Sequence, residues 1–253
     1  MNLPVKISAL AITLNEAENL PAYLDSLDFV EEIVVVDSFS TDGTAAICQA
    51  NPKVRFLQRS FDDFSSQKNF AIEQAANDWI LFFDPDEEIT PAIKNEILGI
   101  LKNPKAQAYE IRRQIYFMNR KLNYSGFQSD WVIRVFDKNH NRYDGRLVHE
   151  TIATDGKVAR MRSRLPHHSY KSFEAYIDKL DRYSKLQAQI LFDKGKRAKM
   201  HHFWIRPAYR FWHQYLIRLG ILDGKEGFIL AYLNANSVFK RYVNLLRLER
   251  NTD

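Results

Sequence analysis

The 253-residue sequence predicts an α/β fold: a mostly parallel sheet sandwiched by helices, followed by a helical C-terminal extension. Three observations carry this. Over the first hundred residues, short apolar runs alternate with amphipathic stretches, the β-α-β-α rhythm of a parallel sheet covered on both faces. Three of the apolar runs end abruptly in polar clusters, at the strand ends where such sheets bind ligands. From Ser172 onward the strand patterns stop and long helical patterns take over.

Val5 to Leu14 reads as a buried strand, and Glu16 to Leu27 as a short amphipathic helix. Ile33 to Val36 is continuous and β-branched, as a central strand should be, and it stops at Asp37. Ser40-Thr41-Asp42-Gly43 then supplies turn and capping chemistry. Val54 to Gln58 is a third strand, Ser65 to Ala76 a helix and Trp79 to Phe83 a fourth strand. Pro91 opens the next helix, where its missing N–H costs nothing. Further strands are expected near Ala108 to Tyr116, Trp131 to Asp137 and Lys157 to Arg162. Helices are expected over Ser172 to Phe192, Trp204 to Leu219 and Lys225 to Leu248, punctuated by Gly195 and Pro207.

Composition bounds the function class. Hydrophobic residues at 45% support a sizeable core and argue against disorder. The single cysteine, Cys48, excludes an internal disulfide framework and is expected to be a small buried apolar residue in a reducing compartment. Neither a signal-peptide pattern at the start nor an apolar run of about 18 residues is present, so a soluble or peripheral protein is expected. The net charge of +5 is unevenly spread. Met1 to Ala159 holds 17 basic and 23 acidic residues, whereas Arg160 to Asp253 holds 19 and 8, a split that predicts different partners for the two ends.

Asp84-Pro85-Asp86-Glu87 is the most informative segment. An apolar strand delivers two carboxylates, one residue apart, to its mouth, and hard divalent cations bind one or two carboxylates together with substrate phosphates. A plain acidic loop capping the next helix is the alternative. Asp37 is placed to accept hydrogen bonds from a base, since Asp42 already supplies the local cap. Thr13, Asn15 and Glu16 form a third polar mouth, or else a helix N-cap. No G-x-G-x-x-G follows a strand and no P-loop motif occurs, which disfavours dinucleotide and P-loop folds. His149-Glu150 lacks the second histidine of a zinc-protease motif.

Thr13-Leu14-Asn15-Glu16, Val34 to Ser38 with Ser40 to Thr44, Gln67-Lys68-Asn69 and Trp79 to Glu87 occur in order across the first 90 residues. Together they resemble glycosyltransferase family 2, and in particular its branch that adds glucose or similar sugars to the lipopolysaccharide core. The resemblance implies a GT-A fold, a divalent metal (Mg²⁺ or Mn²⁺), a nucleoside diphosphate sugar donor, often UDP-linked, and inversion at the anomeric carbon. It implies that Thr13, Asn15, Glu16, Asp37 and Ser38 line the nucleotide pocket, with Asp37 on the base. Lys68 and Asn69 would lie near the ribose or diphosphate, and Asp84 and Asp86 at the metal centre, Asp86 the more direct ligand. The acidic pair that serves many members as base is absent. Glu150 is expected to take that role with His149 orienting it or contacting phosphate, an ordinary half-buried histidine being the alternative for His149, and Asp130 is the competing base. His167 or His168 would add a late ligand to the metal, with two surface histidines as the alternative.

On this reading residues 1–170 form the catalytic domain, with an acceptor-side part at 106–170, and residues 171–253 a basic, aromatic helical region. Within the latter, Phe211 to Leu222 followed by Asp223-Gly224-Lys225-Glu226-Gly227 resembles a stretch of the same branch. Lys196, Arg197, Lys199, Trp204, Arg206, Tyr209, Arg210 and Trp212 interleave charge with aromatic rings, a composition suited to an anionic membrane surface. Plain packing of the helices, or nucleic-acid binding, are the alternatives; a nucleic-acid partner is not expected. The implied acceptor is a saccharide or lipid-linked saccharide, and the implied location the inner face of the cytoplasmic membrane. A non-catalytic scaffold on a degenerate GT-A core is the competing function. A nucleotidyltransferase is disfavoured because Thr13 to Glu16 contains no glycine.

Overall fold

The structure, a computed structural model, describes residues 5–118, 120–145, 150–167 and 173–250. The chain forms two compact units: Met1–Arg113 with Trp131–His167, and Gln114–Asp130 with His168–Asp253.

In the first unit, β1 (Ile7–Thr13), β2 (Glu32–Asp37), β3 (Val54–Gln58) and β4 (Trp79–Phe82) are parallel, in the order β4-β1-β2-β3. Each central strand is apolar on both faces, and the two sets of alternate residues enter separate cores. Ala9, Ala11, Ile33, Val35 and Leu81 pack with Leu20 and Leu24 of α1 (Leu20–Ser26) and with Ile93 and Ile97 of α4 (Pro91–Leu101). Leu10, Val34, Val36, Ile80 and Phe82 pack with Ala71 and Ile72 of α3 (Phe64–Gln74). Helices on both sides follow from that continuous apolar patterning. Cys48, on α2 (Thr44–Ala50), is buried in the first of these cores. β7 (Trp131–Asp137) adds antiparallel to β4, and β5 (Ala108–Phe117) antiparallel to β7. β10 (Val158–His167) closes that edge. A separate ribbon pairs β8 (Asn141–Tyr143) with β9 (Ile152–Thr154).

The sequence reading differs from the structure in several places, among them the β8–β9 ribbon, which it did not expect, and the helix expected over Trp204 to Leu219, which runs from Met200 to Trp212. The first helix starts at Leu20 rather than Glu16, because Asn15 adopts a left-handed conformation (φ 57°) and residues 16–19 form a turn. β10 runs on to His167, well past Arg162. Pro207 does not break its helix but lies inside it.

In the second unit, residues 116–117 of β5 pair with β6 (Arg120–Lys121). Three helices follow: α5 (Phe173–Asp193), α6 (Met200–Trp212) and α7 (Gly224–Arg250). A widened π turn at His213–Ile217 and a tight turn at Gly220–Asp223 join α6 to α7. Gly195, with φ 66°, follows the end of α5, a left-handed position that a side chain would strain. Asp223 organises this connection, accepting from the backbone N–H of Asn123 at 2.9 Å and from the Ser125 hydroxyl at 2.7 Å. Among the described residues no helix is long and apolar enough to cross a membrane.

Candidate active site

The carboxyl ends of β1, β2 and β4 open on one cleft of about 440 Å³. Thr13, Glu16, Ser38, Lys68, Asp84, Asp86, Glu150 and His167 line it, with Ile12, Leu14, Phe61, Phe64 and Pro85 as apolar walls. Strand register explains the convergence: Thr13 pairs with Asp37 across β1 and β2, and Leu10 with Phe82 across β1 and β4, so the three strands deliver their polar ends together.

Buried charge dominates one wall. A single Arg134 nitrogen, Nη2, donates to Asp84 Oδ2 and to Glu87 Oε1, each at 2.6 Å. Glu87 reaches back to accept from the Asp84 backbone N–H at 3.0 Å, which fixes the turn between the two acids. Burial works against the charge of Asp84, but Arg134 and then Lys68 outweigh it and hold its carboxyl below the usual range. Glu87 goes the other way: burial, with Asp84 adding to it, pushes its carboxyl up to about 7 despite Arg134. One guanidinium thus serves an ionised partner and one poised to hold a proton.

On the opposite side, the Lys68 ammonium contacts Glu150 Oε1 at 2.9 Å and sits 5.0 Å from the Tyr143 ring centroid. Lys68 is buried, which disfavours its charge, yet Asp84, Tyr143 and Glu150 raise its pKa overall. Lys68 and Glu150 enter the cleft as a held pair.

Several residues expected at the ligand are held by scaffold hydrogen bonds. Asp37 is fully buried and accepts from Thr13 Oγ1 at 2.9 Å, from the Ser40 backbone N–H at 2.8 Å and from Gln58 Nε2 at 3.3 Å. Far from standing free, it ties β1, β3 and the Ser38–Ser40 loop together. Asn69 does not face the cleft: its amide brackets Tyr143, donating to the carbonyl at 3.0 Å and accepting from the N–H at 2.9 Å, because an edge ribbon needs partners for its backbone. Asn15 accepts from the Thr41 backbone N–H at 2.9 Å, outside the cleft lining. Ser38 remains in the lining and receives Gln67 Nε2 at 3.2 Å. Asp130 belongs to the second unit. His149 and His168 lie outside the described residues.

The residues fit a divalent metal in part. His167 Nδ1 is buried without a hydrogen-bond partner, 4.0 Å from Asp86 Oδ1. Burial lowers the pKa of His167 against the pull of Asp86, which favours the neutral ring a metal needs. Asp84 spends one oxygen on Arg134, so Asp86 is the freer ligand. Among the described residues no group of three or more His, Cys, Asp or Glu side chains is already arranged to hold a metal ion. A partial protein shell of this kind suits a hard cation that completes its coordination with substrate phosphates and water.

Arg134 and Glu87 form the buried ion pair behind Asp84 that motif reading passed over. The available signal was an arginine in the middle of the apolar strand Trp131-Val132-Ile133-Arg134-Val135-Phe136, where a buried charge demands partners.

Comparison with known proteins places this cleft in a lineage. The chain is 29% identical to the lipopolysaccharide core biosynthesis glycosyltransferase LpsC of Rhizobium meliloti, over 98% of this chain and 96% of that one. It is also 29% identical to an uncharacterized glycosyltransferase of Rickettsia felis, over 96% of this chain and 89% of that one. The solved structure of S. aureus TarS 1-349 in complex with UDP covers 98% of this chain and 92% of its own, at a TM-score of 0.50 and 14% identity, a likeness of fold. The family model for glycosyl transferase family 2 matches residues 8–163, which take in β1 through most of β10 and all but His167 of the residues that line the cleft. With a GT-A-like sheet and the cleft at its carboxyl edge, the chain belongs to glycosyl transferase family 2.

Proposed function

We propose that this chain moves a hexose, glucose or a similar sugar, from a UDP-linked donor to a hydroxyl of a saccharide acceptor in the cell-envelope core, with inversion and with a divalent metal. The observation that carries the reading is the convergence of Asp84, Asp86, His167, Lys68 and Glu150 on one cleft at the sheet's carboxyl edge. The relation to LpsC supports a lipopolysaccharide-core acceptor, and the fold shared with TarS, which binds UDP, supports the donor.

In this scheme Thr13, Glu16 and Ser38 flank the nucleotide, and Asp37 shapes its pocket by fixing Thr13 and Ser40. Asp86 and His167 hold the metal, with Asp84 kept ionised beside them by Arg134. When bound, the metal supplies a Lewis acid that neutralises charge on the departing diphosphate. Glu150 takes the acceptor proton as the acceptor oxygen attacks the anomeric carbon and the bond to the diphosphate breaks on the opposite face. Lys68 orients Glu150 through its 2.9 Å contact. Glu150 is preferred to Asp130 as base because it shares the cleft with Asp86.

The basic helical region is read as the membrane-facing part, at the inner leaflet where lipid-linked acceptors are presented. Trp204 (71% exposed), Ile205 (62%) and Trp212 (54%) stand out from α6, far more apolar surface than one helix needs to leave in water.

Calorimetric titration of UDP and UDP-sugars, with Mn²⁺ and with EDTA, tests the donor site. Metal-dependent binding that is lost in Asp86→Ala is expected. No binding of any nucleoside diphosphate in Mn²⁺ or Mg²⁺ would sink the reading and leave a scaffold on a GT-A core.

A further inference from the structure

The second unit carries a cleft that sugar transfer from the donor does not use. α5, α6 and α7 enclose about 470 Å³, and the lining includes Lys179, Arg206, Arg210 and Arg241 but no acidic residue. Arg206 and Arg210 lie one turn apart on α6 and so share a face, while Arg241 enters from α7. Cationic side chains gathered in one pocket repel one another, and folds normally answer with carboxylates. Here Asp181 of α5 pairs with Lys240, at 2.7 Å. Arg241 Nε is buried without a hydrogen-bond partner. Burial pulls the Arg241 pKa down, and Arg210 and Arg206 add to the fall. The pocket lining therefore gathers cationic side chains with no carboxylate among them. Asn234 and the Tyr183 and Tyr209 side chains add neutral donors around it.

We propose that Arg206, Arg210 and Arg241 form a binding site for a phosphate group, monoester or diphosphate, distinct from the donor cleft. Guanidinium forks match phosphate oxygens two at a time, which a lysine cluster does not. The same chemistry could arrive on a lipid headgroup or on a soluble phosphorylated saccharide. Tyr176, Arg210 and Asn234 also line an adjoining cleft of about 440 Å³ that contains Asp130, His213 and Arg218, so a ligand larger than phosphate alone has room to extend towards mixed charge.

The site is tested on the full chain with pyrophosphate as the probe, in EDTA so that any metal-dependent donor site stays silent. Wild type is expected to bind, Arg206→Gln and Arg241→Gln to bind at least tenfold more weakly, and Asp86→Ala to bind as wild type. The last arm separates this site from the donor reading. Thermal unfolding without ligand guards against misfolding: removing one of several like charges should leave Tm unchanged or raise it, and Arg206→Lys, which keeps the charge but loses the fork, provides a second variant that should also bind more weakly. Absence of binding, or binding equal in wild type and both glutamine variants, overturns the proposal. Flotation with phosphatidate and phosphatidylcholine vesicles then names the source. Attachment to phosphatidate that needs Arg206 and is competed by pyrophosphate assigns a lipid headgroup; attachment indifferent to pyrophosphate, beside intact pyrophosphate binding, assigns a soluble phosphorylated ligand.

Discussion

At the scale of single residues, Arg134 decides the electrostatics beside the cleft. Its one nitrogen serves two carboxylates, so removing it leaves Glu87 buried, and Asp84 at the cleft wall, without their ion-pair partner. Arg134→Leu is expected to cost about 3–5 kcal/mol in unfolding free energy, the range for breaking a buried ion pair from one side; urea denaturation measures it. Glu87 carries a pH signature. Its carboxyl titrates near 7 in the folded chain, against 4.5 for the free group, so the folded state binds more protons than the unfolded one between those values. Stability therefore falls as pH rises through that window, and Glu87→Gln should flatten this part of the profile in thermal unfolding from pH 4 to 8. Asn69 shows how neighbouring motif residues can be placed differently. Its neighbour Lys68 faces the cleft while its own amide is consumed by the Tyr143 backbone. Consecutive helical positions point about 100° apart, and the sequence does not say which of them meets the ligand.

At the scale of elements, local chemistry explains most boundaries. Asp63 caps α3 by accepting from the Ser66 N–H at 2.9 Å, and Thr90 caps α4 ahead of Pro91. The connection into α7 obeys a different constraint. A Cβ on Gly227 would lie 1.9 Å from the Gly220 carbonyl oxygen, so α7 packs against the Gly220–Asp223 turn only because that side chain is missing. This gives a physical reason for the glycine in the Asp223 to Gly227 stretch. Gly227→Ala is expected to destabilise by at least about 3 kcal/mol, the overpacking penalty exceeding the roughly 1 kcal/mol that alanine gains in helix propensity. Calorimetric unfolding checks it, and a neutral result would mean that the turn can shift.

For the whole molecule, charge and apolar exposure are sorted between the two units. The first concentrates buried acid at a strand mouth, and the second presents aromatic surface on α6 beside clustered arginine. If α6 faces a bilayer, Trp204→Ala with Trp212→Ala should lower partitioning onto anionic vesicles by at least about tenfold, since each buried indole contributes on the order of 1.5 kcal/mol or more. Sedimentation with vesicles measures it, and unchanged partitioning would return α6 to a packing or partner-binding role.

The parallel sheet, its helix alternation and the acidic mouth after β4 were legible in the sequence, because buried strands are continuous and apolar and their polar ends interrupt them sharply. The family followed from the order of the same motifs. Tertiary structure alone decided which polar residues face the cleft. Asp37 and Asn69 went to the scaffold, Glu150 arrived beside Lys68 from 82 positions away, and Arg134 joined Asp84 and Glu87 from another strand. A hydrogen bond or an ion pair between such distant residues leaves no periodicity along the chain. It is chosen by strand order and register, which fix neighbours in space only after the sheet has formed.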